Sequence, residues 1–91
     1  MEERDLEMLE FMVTALLADY DIIGLIKYGN RNHTEYGPEA RTIIRYLIEN
    51  DFDIKLDILA RKIQYIFEVW FDIQPDIVPC IMIAREIKLM I

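Results

Sequence analysis

The apolar residues in the first part of the chain recur at intervals of three and four, the period of an amphipathic helix. This pattern predicts a helix over residues 3–18. Its apolar stripe consists of Leu6, Leu9, Val13, Leu16 and Leu17. The stripe is interrupted at 19–21, and residues 22–28 either extend the helix or form a separate turn. Glycine and asparagine residues in 29–37 predict a loop.

A second helix is predicted to begin at Pro38, because proline suits the first turn of a helix. It ends at Asn50-Asp51, and its stripe is Ala40, Ile43, Ile44, Leu47 and Ile48. A third helix is predicted over 54–72, with Asp53 as its N-cap. The inward residues of this third helix are Leu56, Leu59, Ile63, Ile66, Phe67 and Trp70.

A break at Gln74-Pro75-Asp76 separates the third helix from a fourth. The fourth helix is predicted to begin between 76 and 80 and to run to about 89, with Pro79 in its first turn because an interior proline is costly. Its inward residues are Ile77, Ile81, Ala84 and Ile87. The alternative is a strand over 77–83, for which no partner strand is evident. We therefore predict one all-α domain over 1–91, a compact antiparallel bundle of about four helices.

The chain carries 17 acidic and 10 basic residues, a net charge of −7. A nucleic-acid interface and an anionic membrane surface both need clustered basic residues, so neither is expected as a partner. A basic protein partner is favoured, although the charge equally serves solubility. The N-terminus lacks the pattern of a secretory signal and Cys80 is the only cysteine, so we expect a cytoplasmic protein.

Residues for catalysis are scarce. The chain has no serine, Cys80 lies in an apolar run that predicts burial, and His33 is the only histidine. Carboxylates spaced four apart are Glu35 and Glu39, Asp53 and Asp57, Glu68 and Asp72, and Asp72 and Asp76. A solvated acidic face explains these pairs, and the alternative is a magnesium-dependent nucleotide hydrolase. We expect no enzymatic activity, no cofactor and no metal site.

Aromatic residues fall into two groups. Phe67 and Trp70 lie on a predicted core stripe. Tyr20, Tyr28 and Tyr36 lie at helix breaks among acidic residues. Exposed tyrosines in such a setting suit a basic protein surface, whereas tyrosines that cap the ends of the bundle are the alternative.

The middle of the chain resembles a group of small helical bacterial proteins that carry a Trp-Asp-Pro-Ile-Gly-like turn. The matching segments are Tyr20-Asp21-Ile22-Ile23-Gly24, Glu35-Tyr36, Ile44 with Leu47-Ile48, Leu59 to Ile63, and Ile66-Phe67. Tyr20 replaces the tryptophan and Ile22 replaces the proline. The resemblance covers roughly residues 6–90. Some of these proteins resemble immunity proteins of toxin–immunity systems, including contact-dependent growth inhibition.

The resemblance implies a non-enzymatic immunity protein that binds a cognate toxin, expected to be a basic nuclease domain, and occludes its active site. Acidic residues would then take the place of nucleic-acid phosphates. The candidate partner-binding residues are Asp21, Glu35, Tyr36, Glu39, Glu49, Asp51, Asp53 and Asp57. The alternative is a regulatory or self-associating interaction domain. The pattern does not decide between a monomer and a homodimer.

Overall fold

A computed structural model describes residues 3–21 and 36–91. The described residues form four helices and no strand. They are α1 (Glu3–Tyr20), α2 (Gly37–Glu49), α3 (Leu56–Phe71) and α4 (Ile77–Met90). The all-α prediction is confirmed. The choice left open for residues 22–28, and most of the loop predicted at 29–37, lie outside the described residues.

The main contacts between helices form a ring among the described residues: α1 packs against α2 and α4, and α3 packs against the same two helices. The most extensive packing is between α3 and α4, which a five-residue connection joins. Helices α1 and α3 therefore lie diagonally across an antiparallel bundle, and their outer sides face opposite directions.

An aspartate with a positive φ follows each of the first three helices within two residues: Asp21 at 46°, Asp51 at 54° and Asp72 at 55°. Glycine is the usual residue in this left-handed position, and aspartate tolerates it better than most other residues. At the ends of α1 and α3, the aspartate N–H donates to the carbonyl four residues earlier, from Asp21 to Leu17 and from Asp72 to Glu68.

Helix α4 begins as its sequence predicts. The Asp76 carboxylate accepts a hydrogen bond of 3.0 Å from the N–H of Val78, and Pro79 lies in the first turn. Helix α3, in contrast, begins later than predicted. Its N-cap is Lys55, in an extended conformation and without a side-chain cap. The prediction of an Asp53 cap is wrong because the extended segment continues through Ile54, whose side chain is buried.

The core contains most of the residues assigned to the four stripes. Its fully buried residues include Val13 and Leu17 from α1, Ile43 and Leu47 from α2, Leu59, Ile63 and Phe67 from α3, and Cys80, Ile83 and Ile87 from α4. Two predicted core residues are in fact exposed, Ile48 at 43% and Trp70 at 54%. Both lie in the last turn of their helices, at the rim of the packed region. No helix in the described ranges is long and apolar enough to cross a membrane.

Candidate protein-interaction surface

The connection between α2 and α3 alternates between buried and exposed side chains. Phe52 and Ile54 turn inward and pack on the core. Asp51, Asp53 and Lys55, which alternate with these two residues along the chain, are exposed. Glu49, at the end of α2, and Asp57, in the first turn of α3, are exposed as well. Residues 49–57 thus present four carboxylates and one lysine, a local charge of −3.

Backbone hydrogen bonds hold this connection in one shape. The N–H of Asp51 donates to Ile48 O at 3.0 Å, and the N–H of Phe52 donates to Leu47 O at 2.8 Å. These two bonds form a Schellman motif, in which the last residues of a helix are closed off by a left-handed turn. Phe52 has a φ of 60°, so Asp51 and Phe52, two successive residues other than glycine, both adopt a positive φ. Each such residue is strained by about 1 kcal/mol.

Side chains anchor the same connection at two further points. The Lys88 ammonium of α4 donates a hydrogen bond to the carbonyl of Ile54. The Asn50 amide donates to the carbonyl of Tyr46 at 2.8 Å. The carboxylates of Asp51 and Asp53 therefore project from a backbone that is anchored on both sides, which lowers the entropy lost when they bind a partner.

An apolar and aromatic strip adjoins these carboxylates. Asp53, Lys55 and Ile58 line a shallow groove together with Tyr46, Asn50 and Ile54. Along the outer side of α3 the strip continues through Ile58, Tyr65 and Val69, which are 46%, 57% and 62% exposed.

Lys62 links the two helices across this strip. Its ammonium lies 4.9 Å from the ring centroid of Tyr46 on α2 and 5.3 Å from that of Tyr65 on α3. These distances allow cation–π attraction to both rings. We call the combined surface the acidic–aromatic face. It consists of Tyr46, Glu49, Asp51, Asp53, Asp57, Ile58, Tyr65 and Val69.

The surface candidates predicted from the sequence do not include Tyr46, Ile58, Tyr65 or Val69. The sequence does contain a pattern that predicts three of them. Positions 58, 65 and 69 are spaced by seven and four residues, so their apolar side chains lie along one side of α3. That side is opposite the buried stripe of Leu59, Ile63 and Phe67. Helix α3 is thus apolar on two sides.

Tyr36 does not belong to the acidic–aromatic face. It is fully buried, so the prediction that it is an exposed tyrosine is wrong. Its ring packs edge-on against Phe67 at a centroid distance of 5.7 Å. Its hydroxyl donates a 2.6 Å hydrogen bond to the Asp21 carboxylate. The two residues therefore join the end of α1 to the start of α2, which is a structural role.

Another predicted acidic residue, Glu39, is also absent from this face. Glu39 is only 3% exposed in the first turn of α2, where the positive end of the helix dipole favours a carboxylate. Its predicted place on a binding surface is wrong because its side chain points inward. Glu35 lies outside the described residues, as do His33 and Tyr28. Of the seven candidates within the described residues, Glu49, Asp51, Asp53 and Asp57 are the ones that are exposed together in one short segment.

Of the side chains considered for catalysis, the Cys80 thiol is limited in its reactivity by burial. Cys80 is buried, as predicted, and its thiol donates to the carbonyl of Asp76 at 3.4 Å. Burial, together with the nearby charge of Asp76, raises the pKa of this thiol to about 11, so it is neutral at physiological pH. Desolvation and the adjacent Glu86 carboxylate raise the pKa of Tyr20. Within residues 3–21 and 36–91, no three side chains of the metal-binding types converge on one point.

In comparisons with known proteins, no family model, no curated protein and no solved structure matches this chain. The function is therefore inferred from the geometry of the acidic–aromatic face and from the sequence resemblance described above.

Proposed function

We propose that this domain acts by binding a basic protein through the acidic–aromatic face. We further propose that the partner is a bacterial toxin domain, a basic nuclease, whose active site the domain occludes as an immunity protein. The observation that carries the proposal is the anchored connection of residues 49–57, which presents four exposed carboxylates next to the half-buried ring of Tyr46.

The charge of this face suits the active site of a nuclease. Such a site holds Lys and Arg residues that bind phosphates, and carboxylates on a rigid loop can take the place of those phosphates. A cluster of one sign also raises the rate of encounter with a partner of opposite sign, by 10-fold or more at low salt. Asp51 and Asp53 lie at the centre of the cluster, so they are expected to contribute most.

The apolar strip supplies contact area that is buried on binding, which the charges alone do not provide. Tyrosine is enriched among the residues that dominate binding energy, because its ring buries a large area and its hydroxyl remains paired. Tyr65 is half-exposed and already oriented by Lys62. We expect Tyr65 to insert into the partner while the carboxylates of residues 49–57 fix the orientation.

The direct test is a growth assay. The C-terminal domain of the protein encoded immediately upstream is expressed with and without this chain, and survival of the cells is counted. Immunity predicts survival only when the chain is present. Equal killing in both cultures would remove the immunity function.

The surface is tested in the same assay with matched variants. The triple variant Asp51→Asn, Asp53→Asn, Asp57→Asn removes three charges from the acidic–aromatic face. The control Asp5→Asn, Glu7→Gln, Glu86→Gln removes the same number of charges from exposed positions on α1 and α4. The first variant is expected to lose protection and to associate at least 10-fold more slowly, and the control is expected to protect. Equal behaviour of the two would show that net charge, and not this face, matters.

A further inference from the structure

The outer side of α1 carries a second exposed apolar surface. Met8, Phe11 and Met12 are 59%, 72% and 38% exposed, and they lie opposite the buried stripe of Leu9, Val13, Leu16 and Leu17. Phe11 is among the most exposed large apolar side chains in the described part of the chain. A phenylalanine in this position is costly for a solitary domain, because it leaves a large apolar area in water.

Charged residues of opposite sign lie at the two ends of this surface. Arg4, near the start of α1, and Asp19, near its end, are both exposed. With Met8, Phe11 and Ala15 they follow spacings of four, three, four and four, so all five lie along one side of the helix. We define the α1 outer face as Arg4, Met8, Phe11, Met12, Ala15 and Asp19.

Each of the two charges lies at the end of the helix where the helix dipole disfavours its sign. A base near the N-terminus and an acid near the C-terminus each oppose the dipole by about 0.3–1 kcal/mol. No basic residue in the last turn of α1 offsets Asp19. Glu7, three residues after Arg4, offsets the cost of Arg4 within the helix, whereas a base on a second molecule would offset that of Asp19.

The α1 outer face is symmetric about its midpoint. Arg4 lies seven residues before Phe11, and Asp19 lies seven residues after Met12. Met8 lies three residues before Phe11, and Ala15 lies three residues after Met12. A two-fold axis between positions 11 and 12 therefore superimposes this face on itself with every residue matched to a complementary one.

We propose that two copies of this chain pair through the α1 outer face, with the two α1 helices antiparallel. In this arrangement Arg4 of each copy faces Asp19 of the second copy, Met8 faces Ala15, and Phe11 faces Met12. A two-fold interface uses the same patch on both subunits and so requires such self-complementarity. Parallel pairing is disfavoured, because it would place Arg4 against Arg4 and Asp19 against Asp19.

The neighbouring surface allows the interface to extend beyond one helix. A shallow groove beside α1 is lined by Asp5, Met8, Leu9 and Met12 and, at the end of α4, by Met90 and Ile91. An 18-residue helix is about 27 Å long, so the helix alone provides an interface of modest area. Adding the groove brings it towards the roughly 800 Å² per partner of a stable complex. We expect a dimer that forms at micromolar protein concentration.

The pairing is independent of the proposed function. The α1 outer face and the acidic–aromatic face lie on opposite sides of the bundle, because α1 and α3 are diagonal in the ring of helices. A dimer would therefore present two acidic–aromatic faces, both free to bind a partner.

Sedimentation velocity on the full chain, from about 1 µM to 1 mM, measures the association. The unmodified chain is expected to change from monomer to dimer within this range. Phe11→Glu is expected to weaken the dimer at least 30-fold. The control Val69→Glu places the same charge on an equally exposed residue of α3 and is expected to leave the dimer intact. A monomer throughout the range, or equal effects of the two substitutions, would overturn the proposal.

The antiparallel arrangement has its own test. Arg4→Asp and Asp19→Arg each place like charges face to face and are expected to weaken the dimer several-fold. The double variant restores opposite charges, so it is expected to recover the dimer. Circular dichroism checks folding, and both substitutions favour the helix dipole. A double variant no better than the singles would contradict the pairing.

Cross-linking gives an independent readout. A Met8→Cys chain mixed with an Ala15→Cys chain is expected to form a disulfide between the two chains, because these positions face each other in the antiparallel pair. Buried Cys80, with a neutral thiol, does not compete. Disulfides that form only between two Met8→Cys chains would indicate parallel pairing and overturn the arrangement.

Discussion

The outer sides of α1 and α3 are alike in one respect and opposite in another. Both expose large apolar side chains, Phe11 on α1 and Tyr65 on α3. The charges around them differ. The α1 outer face has a base at one end and an acid at the other, so it complements itself. The acidic–aromatic face carries four acids in residues 49–57 against Lys55 and Lys62, so its net charge is negative and two copies of it repel each other. The sign pattern around an apolar patch therefore indicates whether a second copy or a different, basic protein covers it.

The largest expected effect is a complete separation of the two interactions. Phe11→Glu should weaken self-association at least 30-fold and leave partner association unchanged. The triple variant at 51, 53 and 57 should do the reverse. Sedimentation velocity and stopped-flow association measure the two properties on the same samples. A variant that loses both would mean that one surface serves both interactions, and the comparison between the two sides would fail.

A smaller effect is expected from the ring of Tyr65. Tyr65→Ala removes the aromatic anchor and should weaken partner binding by about 2 kcal/mol, or roughly 30-fold. The cost in folding stability should be below about 1 kcal/mol, because the side chain is exposed and loses mainly its contact with Lys62. Calorimetric titration and urea unfolding measure the two quantities. Tyr65→Phe, which keeps the ring, serves as the control and should bind within about threefold of the original chain.

Tyr36 provides the contrast between a buried and an exposed tyrosine. Tyr36→Phe keeps the packing against Phe67 but removes the hydroxyl that donates to Asp21. The loss of a hydrogen bond to a charged group should lower the free energy of unfolding by about 1.5–2 kcal/mol. Urea unfolding measures this loss, and partner association should change little in the folded variant. A larger effect on association than on stability would return Tyr36 to the list of binding residues.

The helices were largely predictable because their signals are local. Asp76 and Pro79 mark the start of α4 within a few residues, and the period of the apolar stripe marks most of the core. Burial at the ends of helices was not predictable in the same way. Trp70 has the spacing of a core residue, but it lies in the last turn of α3, where neighbouring helices no longer cover it fully.

The candidate site was only partly predictable for a related reason. The four acids of residues 49–57 stand out in the sequence, and all four are exposed in the structure. The aromatic part was hidden because α3 is apolar on two sides, so a single periodic stripe does not describe it. Tyr36 was misassigned because a tyrosine beside a loop looks the same in sequence whether its ring turns outward or inward.

The smallest expected effect concerns the aspartates that end the helices. Asp51→Gly relieves the strain of a positive φ but makes the unfolded chain more flexible, so the net gain should be about 0.5 kcal/mol. Asp72→Gly has nearly the same backbone geometry, with a φ of 55° against 54°, and should gain about the same stability. Thermal unfolding measures both gains.

The two glycine variants each remove a carboxylate, but from different surfaces of the molecule. Asp51 belongs to the acidic–aromatic face and Asp72 does not, so Asp51→Gly should slow partner association several-fold and Asp72→Gly should not. An aspartate at position 51 would then be retained for its charge, at a small loss of stability. If both glycine variants associate as fast as the original chain, the carboxylate of Asp51 is simply a residue that tolerates the turn, and the acidic cluster loses its central member.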